Sequence, residues 1–133
     1  MARRKGVSSH QKGKWAEERA AAFLRLKGYR ILEKNYRVPQ GEIDLIASRN
    51  GTLVFVEVKS RKGSSQGTPL EAVSPHKVGR LSAAAAVYLS YQRKAPPSCR
   101  FDVVTLGPEK NWMGLAKIRH IENAFSISEN FNV

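Results

Sequence analysis

Cysteine is almost absent from this chain: Cys99 is the single one in 133 residues. No internal disulfide can form, and a reducing, cytoplasmic setting fits best. Long apolar runs are missing as well. No stretch reaches the ~18 residues of a membrane span, so no membrane partner is expected. The opening Met-Ala-Arg-Arg-Lys-Gly is basic but leads into Ser8-Ser9-His10-Gln11 rather than an apolar segment, so a secretory signal is not expected. There is no glycine-rich loop of the P-loop pattern, which disfavours nucleotide hydrolysis. His10, His76, His120 and Cys99 have no metal-ligand spacing, which argues against a zinc site. Acidic residues are scarce, 11 against 23 Lys and Arg, leaving a net charge of +12. That surplus calls for a polyanionic partner: nucleic acid first, DNA in preference to RNA, and an anionic surface second. A basic surface that serves only solubility is the plain alternative.

What is present is an ordinary globular composition, 41% apolar and 26% charged. The length suits one domain over residues 1–133, with a basic arm at about 1–9 and a loose polar tail from about 126. The chain is organised around Gly41 to Arg61. Two alternating apolar runs meet at Asn50-Gly51, the strongest short-range hairpin signal. If those two residues form the loop, opposed residues have numbers summing to 101. Asp44 then faces Glu57, and Glu42 faces Lys59. Asp44, Glu57 and Lys59 share one face of the hairpin, while Ile43, Leu45, Ala47, Val54, Val56 and Val58 form the other. Like charges across a ladder destabilise it. A divalent cation between Asp44 and Glu57 would turn that repulsion into binding, because hard cations such as Mg²⁺ take carboxylate oxygens, water and phosphate. Lys59 could then orient a water or meet charge developing on phosphorus. The competing reading makes these residues a solvated rim, with Glu42–Lys59 a cross-strand ion pair worth under ~1 kcal/mol.

Around the hairpin, Ser8 or Ser9 can cap a helix running to about Lys27, with Gly28 as its C-terminal stop. Ala16, Ala20, Phe23, Leu24 and Lys27 fall on one stripe, and periodicity puts Glu17 rather than Glu18 at the edge of that stripe. A solvated Glu17 paired with Lys14 or Arg25 is the alternative. Tyr29 to Arg37 reads as a strand, with Tyr29 and Ile31 on one face, entering a turn at Val38-Pro39-Gln40-Gly41. Residues 61–68 read as a flexible loop, and 70–73 as a short helical turn. Ser74-Pro75 starts a second helix to about Arg93, with Val78, Leu81, Ala85, Tyr88 and Leu89 inward. Arg100–Leu106 and Leu115–Ile121 read as the last strands. Trp15 and Trp112 are expected to pack in the core. The order α-β-β-β-α-β-β predicts an α/β fold, a mixed sheet of about five strands with a helix on each side.

The run Gly41-Glu42-Ile43-Asp44-Leu45-Ile46-Ala47, then Val54-Phe55-Val56-Glu57-Val58-Lys59-Ser60-Arg61, resembles the signature of the bacterial YraN-like family. That family is similar to the restriction-endonuclease-like PD-(D/E)XK nucleases and, among them, to archaeal Holliday-junction resolvases. The resemblance extends from about Gly13 to Phe125. It implies a restriction-endonuclease-like core and a Mg²⁺- or Mn²⁺-dependent endonuclease that cleaves DNA phosphodiesters, with branched or junction DNA as candidate substrates. Asp44, Glu57 and the backbone carbonyl of Val58 would hold the metal, Lys59 would position the attacking water, and Glu17 would complete the site. The family's Gly-Glu-x-x-Ala step is matched by Ala16-Glu17-Glu18-Arg19-Ala20, with alanine in place of glycine. Its aromatic before the loop glycine is replaced by Gln66. Arg61, Lys62, Lys77 and Arg80 are the candidate phosphate contacts. Resolvases of the wider superfamily are dimers, which leaves a homodimer open here. The alternative function is a DNA-binding module that keeps the nuclease scaffold without turnover.

Overall fold

At Asn50 and Gly51 the backbone turns through two consecutive left-handed residues, φ 51° and 81°. Asparagine and glycine tolerate that conformation, and it matches the right-handed twist of the strands it joins. The computed structural model describes residues 9–60, 73–94, 96, 98–110, 113 and 116–125. The N-terminal arm, the 61–68 loop with Arg61 and Lys62, all but Val73 of the turn expected at 70–73, Trp112 and the C-terminal tail lie outside the described residues.

The elements are α1 (Ser9–Leu26), β1 (Arg30–Val38), β2 (Gly41–Arg49), β3 (Thr52–Ser60), α2 (Pro75–Ser90), β4 (Ser98–Lys110) and β5 (Ala116–Phe125). The strands form one sheet in chain order, β1-β2-β3-β4-β5. Only β3 and β4 run parallel; the other neighbours are antiparallel. A parallel step needs a crossover, and α2 supplies it. This is the expected mixed α/β architecture, with both β-elements at the C-terminal end longer than their alternation suggested.

Local chemistry sets the helix limits. Gly28, at φ 95°, closes α1, while the Tyr29 amide bonds back to the Leu24 carbonyl at 3.0 Å. The Ser74 hydroxyl caps α2 by accepting from the Lys77 amide at 3.1 Å, and Pro75 follows at the first helical position. The helix stops at Ser90, short of Arg93. The Tyr91 and Gln92 amides bond three residues back, to Tyr88 and Leu89, which tightens the last turn and ends the α-helical ladder.

Both faces of the sheet are buried. Ala16, Ala20, Ala21 and Leu24 of α1 pack on Tyr29, Leu45, Ala47, Val54, Val56, Val104 and Leu106. On the opposite face Leu81, Ala84 and Ala85 of α2 pack on Ile43, Ile46, Leu53, Phe55, Phe101 and Val103. The hairpin therefore has no solvated face, contrary to the rim reading. Ile43 also departs from expectation. It joins the α2 side together with Ile46, three residues on, instead of joining Leu45 and Ala47. A two-residue period cannot do that, so β2 changes face between Ile43 and Leu45. Trp15 is a second correction: it is 45% exposed, on the side of α1 away from Ala16 and Ala20, with the Arg19 guanidinium 4.9 Å above its ring.

Candidate metal and nucleic-acid site

The expected register holds from Arg49↔Thr52 to Leu45↔Val56 and ends there. Asp44 and Glu57, and Glu42 and Lys59, are not ladder partners. β2 stays paired with β1 down to Gly41, so it is from β3 that it parts. Where the ladder opens, the Asp44 carboxylate takes the place of a main-chain acceptor: the Val58 amide donates to its Oδ2 at 2.8 Å. The N–H and C=O of a strand residue point to the same side, so the Val58 carbonyl also looks towards Asp44. The change of face in β2 and the splayed ladder have one consequence. They free Asp44 from the β2–β3 ladder, and its carboxylate takes a charge-assisted hydrogen bond from the Val58 amide instead.

Asp44 is within hydrogen-bonding reach of two further carboxyls, Glu17 of α1 and Glu57 of β3. Glu57 is almost wholly buried. Burial, reinforced by the neighbouring Asp44 charge and partly offset by Lys77, pushes its carboxyl up to about 8. Burial also raises Glu17, to about 7, again with Asp44 as the next cause and Arg37 opposing. Glu18 points the other way and forms an exposed ion pair with Lys34 at 3.1 Å. The bonding seen for Glu17 is thus to the sheet, not to Lys14 or Arg25.

Lys59 lies two residues after Glu57 on the same strand, half-buried, beside Thr105 of β4. Among the described residues it forms no ion pair, with Glu42 or any other acid. Of the proposed phosphate contacts, Arg80 sits in α2 with its main chain against Gly41. Lys77, the other described candidate, is 38% exposed, and its ammonium reaches Glu57 Oε2 at 3.3 Å. A separation of 20 residues across a loop gave no pattern to reveal this pair.

Asp44 and Glu57, in hydrogen-bonding reach of each other, offer oxygen ligands of the kind a hard divalent cation takes together with main-chain carbonyls, water and phosphate. Among the described residues there is no group of three His, Cys, Asp or Glu side chains that could hold a metal ion. Glu17 also reaches Asp44.

A second polar constellation lies across β4, β5 and the end of α1. Asp102 is fully buried and accepts from Arg100 Nε at 2.9 Å, from the Asn123 amide at 2.9 Å and from His120 Nε2 at 2.7 Å. Burial alone would raise the Asp102 carboxyl, but the bonds from His120, Arg100 and Asn123 prevail and lower it. Lys27 meets the other His120 nitrogen at 2.7 Å. This network was not anticipated; its only sequence trace is one aspartate inside the apolar run Phe101-Asp102-Val103-Val104. No helix among the described residues is long and apolar enough to cross a membrane.

Residues 16–106 match the model of the uncharacterised protein family UPF0102. A UPF0102 protein of Syntrophomonas wolfei is 47% identical over 113 residues, covering 85% of this chain and 96% of the relative. One from Symbiobacterium thermophilum is 49% identical over 117 residues, covering 88% and 98%. One from Chlorobium phaeobacteroides is 45% identical over 119 residues, covering 87% and 94%. With likeness of this extent across the hairpin, both helices and the fourth strand, the chain belongs to the UPF0102 family, the YraN-like family with a PD-(D/E)XK-like fold.

Proposed function

We propose that this chain is a metal-dependent endonuclease acting on DNA. The observation that carries the reading is Asp44, lifted out of the β2–β3 ladder, bonded to the Val58 amide and set between the Glu17 and Glu57 carboxyls. A hairpin selected for stability alone has no use for two acids forced together under burial. Asp44, Glu57 and the Val58 carbonyl would hold Mg²⁺ or Mn²⁺, which supplies Lewis-acid polarisation of the phosphodiester and neutralises its charge. Lys59, on the strand face of Glu57, holds the attacking water in line with the scissile bond. Glu17, with its raised affinity for a proton, accepts or returns one through water at the Asp44 side. The net charge of +12 attracts the phosphate backbone without reading sequence.

A second reading, a DNA-binding module without turnover, draws on the Lys77–Glu57 ion pair, which already supplies the buried acid with a cation. One experiment separates the two. Branched, flapped, single-stranded and duplex DNA are incubated with excess protein, with Mn²⁺ or with EDTA. The nuclease reading expects products only with metal, lost in Asp44→Asn and Glu57→Gln while low-salt binding survives. Binding without products in every arm supports the second reading, and cleavage that persists in EDTA removes the first.

A further inference from the structure

Lys77 belongs to the acid cluster rather than to the outer basic surface. It stands in the first turn of α2, which the Ser74 cap and Pro75 fix in place. From there its ammonium lies 3.3 Å from Glu57 Oε2, and the next carboxylates around it are Asp44 and Glu42. Glu57 is buried while Lys77 is 38% exposed, so the lysine is the member of the pair that can leave. Once Glu57 is ionised, a buried carboxylate without a cation is costly, and Lys77 provides one when no metal is present. Its long unbranched stem lets the ammonium swing by several ångströms without moving the helix.

We propose that Lys77 is the resident cation of the metal-free site: a divalent cation must displace it from Glu57, and the released ammonium then contacts the phosphate of the bound strand. This deepens the nuclease reading and rests on it. It assigns Lys77 two successive partners and makes metal loading and strand binding depend on one side chain. A divalent ion feels the ammonium's charge about twice as strongly as a proton does, so removing that charge favours the metal even though it also favours protonation of Glu57.

The test is Mn²⁺ titration of the full chain by calorimetry at pH 8.5, for wild type and for Lys77→Met, which keeps the stem and removes the charge. Lys77→Met is expected to bind Mn²⁺ at least five-fold more tightly. With Ca²⁺ present, its affinity for a short duplex oligonucleotide, read by fluorescence anisotropy, is expected to be at least three-fold weaker. Wild type that binds Mn²⁺ with a Lys77→Met variant no tighter overturns the inference and leaves the nuclease reading standing. Tighter Mn²⁺ binding with unchanged oligonucleotide affinity overturns the second contact and keeps the first. No Mn²⁺ binding by either protein overturns both the inference and the reading beneath it.

Discussion

Gly41 lies directly beneath the main chain of Arg80. A Cβ placed on Gly41 would stand 2.0 Å from the Arg80 carbonyl oxygen and 2.8 Å from its carbon. The contact seats α2 on β2 one turn beyond Lys77 and so sets how close the helix brings that lysine to Glu57.

Gly41→Ala is therefore expected to lower stability by about 1–3 kcal/mol, because backbone, not a flexible side chain, has to move. Gly79, on α2 itself, has open space around its missing Cβ. There Gly79→Ala is expected to stabilise by about 0.5–1 kcal/mol through helix propensity. Urea unfolding of both variants checks the pair of opposite signs. A neutral Gly41→Ala would mean that α2 sits further from β2 than described.

The acid cluster should give the metal-free protein a falling stability profile above mild acid. Glu57 binds a proton more tightly when folded, with its carboxyl moved from 4.5 to about 8, and Glu17 moves the same way to about 7. Between those values the unfolded chain has shed protons that the native chain keeps. Stability contributed by these groups is full below about pH 4.5 and is lost as pH rises towards 8. Asp102, whose carboxyl is lowered, acts in the opposite sense and only below its ordinary 3.8. Unfolding midpoints in EDTA, taken from pH 5 to 8, should decline, with a shallower decline in Asp44→Asn. A flat wild-type profile would show that the two glutamates are not buried against Asp44.

Asp102 anchors β4, β5 and the α1 end through Arg100, His120 and the Asn123 amide. Asp102→Ala removes the acceptor of Arg100 Nε and of His120 Nε2, leaving Arg100 only its contacts with the Tyr29 hydroxyl and Glu122, and the expected cost is about 3–5 kcal/mol. Calorimetric melting reads it directly. DNA affinity per folded molecule should be unchanged, since none of these residues belongs to the Asp44 site.

The proposed electrostatic binding to the DNA backbone predicts a steep salt dependence. Log affinity for duplex DNA should fall linearly with log salt, and each phosphate contact removed should reduce the slope by ~0.9. Lys62→Ala and Arg80→Ala are each expected to do so without altering sequence preference. An unchanged slope in both would place the strand on another face.

Much of the molecule was legible before any coordinates. Alternating runs on either side of Asn50-Gly51 dictated the hairpin and its first five pairs, because that dipeptide accepts two left-handed residues and most others do not. Ser74-Pro75 and Gly28 marked helix ends through equally local chemistry. Periodicity placed Glu17 on the sheet side of α1, where Ala16 and Ala20 allow close approach.

Long-range placement was not legible. A strict two-residue period put Ile43 with Leu45, but packing under α2 drew Ile43 to the other face and opened the ladder at Asp44. The Lys77–Glu57 pair spans 20 residues and the Asp102–His120 pair 18, and neither spacing carries a periodic signal. The sequence by itself determined which segments become helix and strand, where they turn and which acids lie on the central hairpin, since each depends on neighbours within a few residues. The tertiary structure alone decided that Asp44 leaves its ladder, that Lys77 serves Glu57 and that Asp102 gathers donors from three residues. Burying both faces of one sheet forces distant polar groups to find partners that no local pattern can name.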